Sequence, residues 1–480
     1  MMWRFSDCKT RIAAKDDRGD SITYQDLSDL EEHFAKAAKR KLVFCMANNE
    51  LGSLAGYVAM INAGVVPVML SYDIDPSLLR NLVEQYQPDF IWMNSANWEG
   101  LDTRTQTAFY HGKGSIFSAS GYSLIQTDYK CSLPIYDDLA LLLTTSGSTG
   151  SPKFVRQSYD NIKANTKSIV EYLKLDADER PITTLPMSYT YGLSIINSHL
   201  YVGATILMTN KTLMQKEFWE FFKAEKATSF GGVPYTYEML KKLRLFRMEL
   251  PSLRTMTQAG GKLTTALHKE FAEYAADTGR NFVVMYGQTE ATARMAYLPG
   301  DKALDKIGSM GIAIPGGNFQ LIDVDGREIT DIDTVGELVY TGANVTLGYA
   351  QCREDLVKGD ERGGILETGD MAKRDSDGYY YIVGRKKRFL KIFGKRVNLD
   401  EVDRLIKMQF DNIDCASTGQ DDALHIFITD KDLVDDVRQY IADITKTNLS
   451  AVHVQHIDEI PKSDSGKVLY VELEKYYKNA

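Results

Sequence analysis

Hydrophobic and polar positions alternate in blocks along the first part of the chain. Residues 26–40 form a polar segment with apolar positions at helical spacing, and an apolar run follows at 41–47. A second helical segment at 50–63 precedes another apolar run at 65–70. Short apolar runs that alternate with helices are typical of parallel strands joined by crossover helices. We therefore predict an α/β fold here.

The same pattern continues through the middle of the chain. Four further apolar runs predict strands at 181–185, 204–208, 227–231 and 281–285. Helical segments such as 215–225 and 265–278 stand beside them. Several α/β layers are therefore expected within one large domain.

The pattern changes after Gly316. Apolar runs at 320–324, 336–341 and 378–383 are separated by Asp/Gly turns, which is typical of antiparallel strands. A β-rich subdomain is therefore expected to close the large domain.

The last part of the chain predicts a compact α/β unit. Beyond a short basic run at 385–388, helix, strand, helix and strand are expected in turn at 400–409, 424–428, 433–445 and 451–456. We predict a large N-terminal domain over residues 1–386 and a small C-terminal α/β domain over 387–480.

Composition fits a folded protein of more than one domain, with 480 residues, 44% hydrophobic and 25% charged. The net charge of -9 gives no electrostatic footprint for nucleic acid. The five scattered cysteines are expected to be free thiols in a reducing compartment. The first residues lack the apolar core of a secretion signal. Residues 54–70 predict a buried helix and strand rather than a membrane span, so we expect a cytoplasmic protein.

A loop rich in glycine and hydroxyl side chains follows the strand-like run 139–143, where residues 144–153 read TTSGSTGSPK. Its glycines let backbone N–H groups converge, and Lys153 adds positive charge. This chemistry suits an anion, most naturally phosphate. A flexible linker is disfavoured because Pro152 and Lys153 come directly after a buried strand. A Walker A loop requires Gly-Lys-[Ser/Thr], but Phe154 follows the lysine here.

This loop resembles the phosphate loop of the acyl-adenylate-forming superfamily, which includes acyl- and aryl-CoA synthetases, luciferases and peptide-synthetase adenylation domains. The resemblance continues in order through AGGK at 259–262, YGQTE at 286–290, GEL at 336–338 with GY at 348–349, TGD at 368–370, DG at 377–378 with GR at 384–385, and PKSDSGK at 461–467. The ordered series is far more specific than one loop. It implies ATP-dependent activation of a carboxylic acid to an acyl-AMP with release of pyrophosphate, followed by transfer to a thiol. It also implies that the small C-terminal domain is mobile.

The resemblance implies which residues bind ATP and magnesium. The β- and γ-phosphates would be held by Thr145, Ser146, Gly147, Ser148, Thr149, Gly150 and Lys153. Tyr286 would stack on adenine, with Gly260 and Gly261 allowing close approach. Thr289 would donate to the α-phosphate, and the carboxylate of Glu290 would hold Mg²⁺.

Further roles are implied nearer the C-terminus. Asp370 would accept both ribose hydroxyls, with Arg385 beside it. Lys467 would bridge the attacking carboxylate and the α-phosphate. Lys387 would be the hinge for rotation of the small domain.

Lys391 and Arg396 are implied to serve the thioester step after that rotation. A basic strand edge that only keeps the protein soluble is an equal alternative for both residues.

The resemblance also places a substrate pocket around the segment PMSYTYG at 186–192. Tyr189 would be its gate, and Ser194 and Gly287 would line it. Tyr191-Gly-Leu-Ser194 matches the Phe-Asp-x-Ser segment of amino-acid adenylation domains but has Gly192 in place of the aspartate. An α-ammonium group buried without a countercharge is costly, so an acyl or aryl acid is favoured.

Several alternatives remain beside this interpretation. The thiol acceptor is coenzyme A or the phosphopantetheine arm of a carrier protein, and the sequence does not separate them. Amino-acid adenylation by a carrier-protein ligase is the nearest rival. A P-loop ATPase or kinase and a serine hydrolase lack their motifs. A non-catalytic nucleotide-binding protein is disfavoured because Lys467, Glu290 and Asp370 are all present.

Overall fold

The computed structural model describes residues 2–101, 105–106, 110–144, 153–393, 395–410, 413–462 and 468–478. The chain divides into two compact units. The first unit comprises Met1–Asn318 and Tyr340–Leu366, and the second comprises Phe319–Val339 and Glu367–Ala480. The predicted domain boundary between residues 386 and 387 stays a prediction.

Twelve α-helices lie within the described residues. They are α1 (Tyr24–Ala38), α2 (Leu51–Ala63), α3 (Pro76–Tyr86), α4 (Ser95–Glu99), α5 (Tyr159–Leu173), α6 (Thr190–Tyr201), α7 (Lys216–Ala224), α8 (Pro234–Lys242), α9 (Thr265–Thr278), α10 (Leu399–Gln409), α11 (Val434–Thr445) and α12 (Tyr470–Lys478). Among these helices none combines the length and the apolar character that crossing a bilayer requires.

The strands belong to six sheets. They are β1 (Ile12–Asp16), β2 (Ser21–Thr23), β3 (Leu42–Ala47), β4 (Val66–Ser71), β5 (Phe90–Asn94), β6 (Gly112–Ala119), β7 (Tyr122–Thr127), β8 (Leu139–Thr144), β9 (Phe154–Ser158), β10 (Ile206–Met208), β11 (Ser229–Gly232), β12 (Thr255–Gln258), β13 (Asn281–Tyr286), β14 (Ala296–Leu298), β15 (Ile312–Ala313), β16 (Gly317–Ile322), β17 (Gly336–Gly342), β18 (Gly348–Ala350), β19 (Ile365–Arg374), β20 (Tyr380–Arg385), β21 (Phe389–Ile392), β22 (Lys395–Asn398), β23 (Cys415–Gln420), β24 (Ala423–Ile428) and β25 (Val452–His456).

An eight-stranded sheet forms the largest layer of the first unit, in the order β18-β9-β8-β4-β3-β5-β7-β6. Strand β3 pairs in parallel with β4 and β5, and β4 pairs in parallel with β8. Helix α2 between β3 and β4 is buried along nearly its whole length. The predicted parallel strands with crossover helices are therefore confirmed, as is the buried helix and strand within residues 54–70.

Helix α1 begins two residues earlier than predicted because a capping box fixes its start. The hydroxyl of Thr23 accepts a hydrogen bond from the Asp26 N–H at 3.1 Å, and the Asp26 carboxylate accepts from the Thr23 N–H at 2.7 Å. This reciprocal pair satisfies backbone groups that the first turn leaves without partners. The helix therefore starts at Tyr24.

A second sheet of the first unit carries the candidate site. It has the order β11-β12-β13-β14-β15, in which β11, β12 and β13 are parallel and β14 and β15 are antiparallel. The carboxyl ends of the three parallel strands meet at one edge, where ligands of α/β sheets commonly bind.

The prediction of a strand at 181–185 is wrong. This segment makes only the isolated bridges Pro181↔Ser229 and Ile182↔Leu207. Proline has no N–H to donate to a ladder, so the segment begins with a residue that a central strand disfavours.

The second unit contains strands at the three positions predicted after Gly316, namely β16, β17 and β20. Its four-stranded sheet has the order β16-β17-β19-β20, and β19 pairs with β20 in antiparallel register. Strand β16 ends at Ile322 instead of continuing to residue 324. The Asp323 carboxylate accepts from the N–H groups of Asp325 and Arg327 at 2.9 and 2.8 Å, which closes a turn there.

The last part of the second unit has the predicted helix, strand, helix and strand as α10, β24, α11 and β25. Strand β24 also pairs with β23, and α12 follows; neither element was predicted from the sequence. The apolar faces meet in a core that includes Ile406, Ile426, Val437 and Ile441.

Candidate active site

A tight loop follows strand β13 at the carboxyl edge of the parallel strands. The Met295 N–H donates to the Tyr286 carbonyl at 2.9 Å, so the chain returns to the point from which it left the strand. A methyl group on Gly287 would lie 1.5 Å from the carbonyl oxygen of Ala293. Ala293 itself has φ 99°, a strained conformation for a residue with a side chain. The loop 287–294 therefore requires glycine at its first position.

Neighbouring side chains hold the carbonyl groups of this loop. The Glu290 carbonyl accepts from the Thr346 N–H at 3.0 Å and from the Thr346 hydroxyl at 2.9 Å. The amide of Asn344 donates to the carbonyls of Ala291 at 2.8 Å and Arg294 at 3.0 Å. The loop is thus fixed before any ligand arrives, as a preorganised site requires.

The carboxylate of Glu290 is held by a phenol. The Tyr349 hydroxyl donates to Glu290 Oε1 at 2.7 Å, and burial, followed by the charge of Glu290, raises the pKa of Tyr349 to about 12. The Lys153 ammonium lies 3.8 Å from the centroid of the Tyr349 ring, and the Arg362 guanidinium lies 4.9 Å from it. One carboxylate and two cations therefore surround one aromatic ring.

Thr289 stands beside Glu290 in a single 3₁₀ turn, Thr289–Ala291. The residue is buried, and its carbonyl accepts from Gln157 Nε2 at 3.4 Å. Within the described part of the chain, its hydroxyl makes no hydrogen bond. The hydroxyl is therefore available to a ligand.

A pair of glycines, Gly260 and Gly261, follows the neighbouring strand β12 at the same edge. Gly260 follows this strand with φ 82°, and a methyl group on it would lie 2.8 Å from Tyr189 Oη and 3.0 Å from Val233 Cγ1. Gly261 packs in the same way against Pro234. Tyr189 therefore lies against Gly260, while its role as a gate stays a prediction.

Ser194 lies on α6, where it is buried in contact with a buried arginine. Its hydroxyl donates to the Tyr191 carbonyl at 2.7 Å and accepts from Arg294 Nε at 3.2 Å. The guanidinium of Arg294 also lies 4.7 Å from the centroid of the Tyr191 ring. Sequence reasoning gave Arg294 no role. The signal that could have identified it is a charged residue between two apolar ones, Ala293 and Met295, four positions after Glu290.

Gly192 has no room for a side chain. A methyl group there would lie 2.3 Å from the carbonyl oxygen of Pro186. The aspartate that amino-acid adenylation domains carry in this position would therefore displace the backbone.

Asp370 and Arg385 form an ion pair within the second unit. They are register partners in β19 and β20, and Arg385 Nε lies 2.7 Å from Asp370 Oδ1. The Asp370 N–H donates to the Thr368 hydroxyl at 3.0 Å, and Asp370 is buried. The structure thus brings the two residues together as expected, while their role toward the ribose stays a prediction.

A family model described as AMP-binding enzyme matches residues 3–350. The chain belongs to the AMP-binding enzyme family. The resemblance to the acyl-adenylate-forming superfamily is thereby confirmed.

Curated members of the AMP-binding enzyme family are similar to this chain over part of their length. Marinolic acid–CoA ligase of Pseudoalteromonas sp. (strain SANK 73390) is 28% identical over 357 residues, which cover 68% of this chain and 53% of that protein. Oxalate–CoA ligase of Arabidopsis thaliana is 28% identical over 346 residues, covering 69% and 66%. Long-chain-fatty-acid–CoA ligase of Yersinia pestis is 27% identical over 361 residues, covering 71% and 62%. The match thus spans between about half and two thirds of these relatives.

Solved structures resemble the whole chain. O-succinylbenzoate coenzyme A synthetase (MenE) of Bacillus subtilis, in complex with AMP, has a TM-score of 0.78 at 19% identity, covering 98% of this chain and 96% of that one. ATP-bound MatB from Rhodopseudomonas palustris has a TM-score of 0.78 at 21% identity, covering 99% and 97%. These likenesses confirm the predicted α/β fold with a large and a small domain.

The remaining residues that the AMP-binding resemblance singled out lie in three places. Lys391 and Arg396 are register partners in β21 and β22, where the Lys391 N–H donates to Asp421 Oδ1 at 2.8 Å. Lys387 lies in the 3₁₀ turn Lys386–Arg388. Outside the described residues lie Thr145, Ser146, Gly147, Ser148, Thr149, Gly150 and Lys467. The roles of all these residues stay predictions.

Proposed function

We propose that the protein activates a carboxylic acid with ATP to form an acyl-adenylate and pyrophosphate, and then transfers the acyl group to a thiol. The observation that carries this proposal is the preorganised loop 287–294 with Thr289 and Glu290, in a chain of the AMP-binding enzyme family. Because several relatives are named as acid–CoA ligases, coenzyme A is the favoured acceptor.

The chemistry brings a carboxylate toward the α-phosphate of ATP, so two anions approach while negative charge grows on the departing pyrophosphate. Fixed cations and oriented donors lower the barrier to such a step. Lys153 would contribute one cation beside the loop, and the Thr289 hydroxyl would donate to the α-phosphate. Lys467 would bridge that phosphate and the attacking carboxylate.

Glu290 is a suitable ligand for Mg²⁺. Its Oε1 accepts from the Tyr349 hydroxyl, whereas its Oε2 accepts no hydrogen bond from the described residues. A carboxylate oxygen is the donor that this hard cation prefers. The bound ion would neutralise phosphate charge, and Tyr349 would keep the carboxylate aimed at it.

Asp370 and Arg385 are proposed to hold the nucleoside. Asp370 is buried and its Oδ1 lies 2.7 Å from Arg385 Nε, and a short carboxylate of this kind can accept hydrogen bonds from both ribose hydroxyls. The exposed part of Arg385 would face the ribose or the phosphates.

The acid is proposed to lack an α-ammonium group. Gly192 leaves no space for the aspartate that would pair with such a group, and Arg294 places a positive charge beside Tyr191 and Ser194 of the same segment. Like charges in a buried site repel strongly. Amino-acid adenylation is therefore the less favoured alternative.

The test measures AMP release with acid and thiol varied separately. Purified enzyme is incubated with ATP, Mg²⁺ and each acid of an aryl, fatty and amino-acid panel, with coenzyme A or a phosphopantetheinylated carrier protein. We expect AMP and a thioester in equal amounts for at least one acid that is not an α-amino acid. ATP binding without acid-dependent AMP would favour the non-catalytic alternative.

A further inference from the structure

Three arginine side chains are buried among the described residues of the first unit, and one of them differs from the others. Arg156 forms an ion pair with Glu361, and Arg353 Nη2 lies 2.8 Å from Asp89 Oδ2. Arg294 is only 2% exposed, yet within the described residues no carboxylate lies within ion-pair distance of it. The described residues thus supply a countercharge to two of these buried guanidinium groups and not to the third.

The neighbours of Arg294 that the structure describes are uncharged at neutral pH. Its Nη1 donates to Tyr172 Oη at 3.0 Å, in addition to the contacts with Ser194 and Tyr191. Burial raises the pKa of Tyr191 to about 12 and also raises that of Tyr172, so neither phenol supplies an anion. Burial and, to a smaller extent, Arg294 lower the pKa of His199 to about 4, which keeps that ring neutral.

One nitrogen of the Arg294 guanidinium makes no hydrogen bond with the described residues. Nε and Nη1 have their partners, but Nη2 donates to none of the residues that the structure describes. A buried cation without a countercharge is costly for a fold, whereas a guanidinium that keeps one free edge is well suited to a carboxylate.

The position of Arg294 connects this charge with the proposed chemistry. Arg294 ends the same loop that carries Thr289 and Glu290, and it contacts Ser194 in the segment that corresponds to the acid pocket. A ligand that reaches from Thr289 to Ser194 would bring its far end beside Arg294, because Arg294 Nε donates to the Ser194 hydroxyl.

We propose that the acid substrate carries a second carboxylate, and that Arg294 binds it while the first carboxylate is adenylated. This inference rests on the proposed function. One oxygen of the reacting carboxylate forms a bond to the α-phosphorus as the bond to pyrophosphate breaks, and the distal carboxylate takes no part in that exchange. Arg294 is thus a specificity-determining residue for a dicarboxylic acid.

The experiment compares matched acids in ATP–pyrophosphate exchange. The pairs are butanoate with butanedioate, hexanoate with hexanedioate, and benzoate with benzene-1,3-dicarboxylate, together with the monomethyl ester of each diacid. For at least one pair we expect the diacid to exceed both its monoacid and its monomethyl ester in kcat/KM by about tenfold or more, since sites built around a polar group reject analogues that lack it. This comparison uses the unaltered enzyme.

Variants then test whether the preference for diacids over monoacids depends on Arg294. Arg294→Leu should lower kcat/KM for the diacid by about tenfold or more and change that for the monoacid much less, whereas Arg294→Lys should keep part of the preference. The matched control is Arg254→Leu, which removes the same charge from a side chain that is 52% exposed. Melting curves identify a variant that has lost its fold.

Three outcomes separate the inference from the proposed function. Equal use of diacids and monoacids by the unaltered enzyme would overturn the inference and leave the function intact. The inference would also fail if Arg294→Leu lowered exchange equally for both kinds of acid, because Arg294 would then bind the reacting carboxylate. Absence of exchange with every acid would instead overturn the proposed function.

Discussion

At the residue scale, the central contact of the candidate site is the hydrogen bond between Tyr349 and Glu290. Burial and the charge of Glu290 raise the pKa of Tyr349 to about 12, so its phenol keeps its proton and donates a hydrogen bond to the carboxylate. Lys153 and Arg362 approach the ring of the same tyrosine. The hydrogen bond therefore orients the carboxylate, as outer-shell partners of metal ligands do.

Replacement of Tyr349 by phenylalanine should weaken magnesium binding. Loss of a hydrogen bond to a charged group costs about 1.5–3 kcal/mol, which corresponds to roughly a tenfold to hundredfold weaker interaction. The Mg²⁺ concentration that gives half-maximal ATP–pyrophosphate exchange should therefore rise in Tyr349→Phe. Tyr136→Phe is the matched control, because Tyr136 donates to Asp138 Oδ2 at 3.1 Å on the surface. An unchanged Mg²⁺ dependence would contradict the role given to Tyr349.

The sequence predicted more of the elements than of the contacts between them. Alternating apolar runs are local signals, so strand β3 and helix α9 were predicted within one residue of their bounds. The contact between Tyr349 and Glu290 joins residues 59 positions apart and depends on the pairing of β18 with β9. The sequence therefore showed the Gly-Tyr motif at 348–349 but not the role of Tyr349 toward Glu290. The role of Arg294 was missed for the same reason, because its contacts with Ser194 and Tyr172 also join residues far apart in the sequence.

At the element scale, the loop between β13 and β14 depends on Gly287. A methyl group there would lie 1.5 Å from the Ala293 carbonyl oxygen, so the loop has to open to admit it. Gly287→Ala should therefore lose most ATP–pyrophosphate exchange and lower the melting temperature. Gly359→Ala is the control, since the nearest atom to its added methyl lies at 3.7 Å. Normal exchange in Gly287→Ala would mean that the loop does not hold the catalytic groups.

Helix α6 should give the first unit a pH-dependent stability through His199. Its ring is buried, and its pKa falls from 6.5 to about 4 in the fold. The unfolded chain therefore binds the proton first, and stability that is full above pH 6.5 is lost as the pH falls toward 4, by on the order of 3 kcal/mol.

Calorimetric melting between pH 7 and pH 4.5 tests this dependence. The melting temperature of His199→Gln should fall less with decreasing pH than that of the unaltered protein. His33→Gln, which replaces an exposed histidine, should keep the original slope. Identical slopes for all three proteins would refute the contribution of His199.

At the scale of the whole molecule, different residues of the C-terminal region are proposed to serve the two half-reactions. Lys467 is proposed to act in adenylate formation and Lys391 in the thioester step. A variant of either residue should therefore affect one half-reaction more than the other. If the same residues served both half-reactions, each variant would lose both half-reactions together.

The two steps are measured separately in the same variants. Lys467→Ala should reduce ATP–pyrophosphate exchange by about a hundredfold or more, as expected when one charged group that acts in the transition state is removed. Lys391→Ala should keep exchange and slow thioester formation. The control is Lys431→Ala, an exposed lysine of the same unit. Normal exchange in Lys467→Ala would exclude the role given to that lysine.

The most direct test of the central claim is acid-dependent ATP–pyrophosphate exchange by the unaltered enzyme. Labelled pyrophosphate, ATP and Mg²⁺ are incubated with single acids from a panel of monocarboxylic, dicarboxylic, aryl and amino acids. We predict that label enters ATP only when a suitable acid is present, and that this acid is not an α-amino acid. Exchange with no acid of the panel, or with α-amino acids alone, would contradict the proposed function.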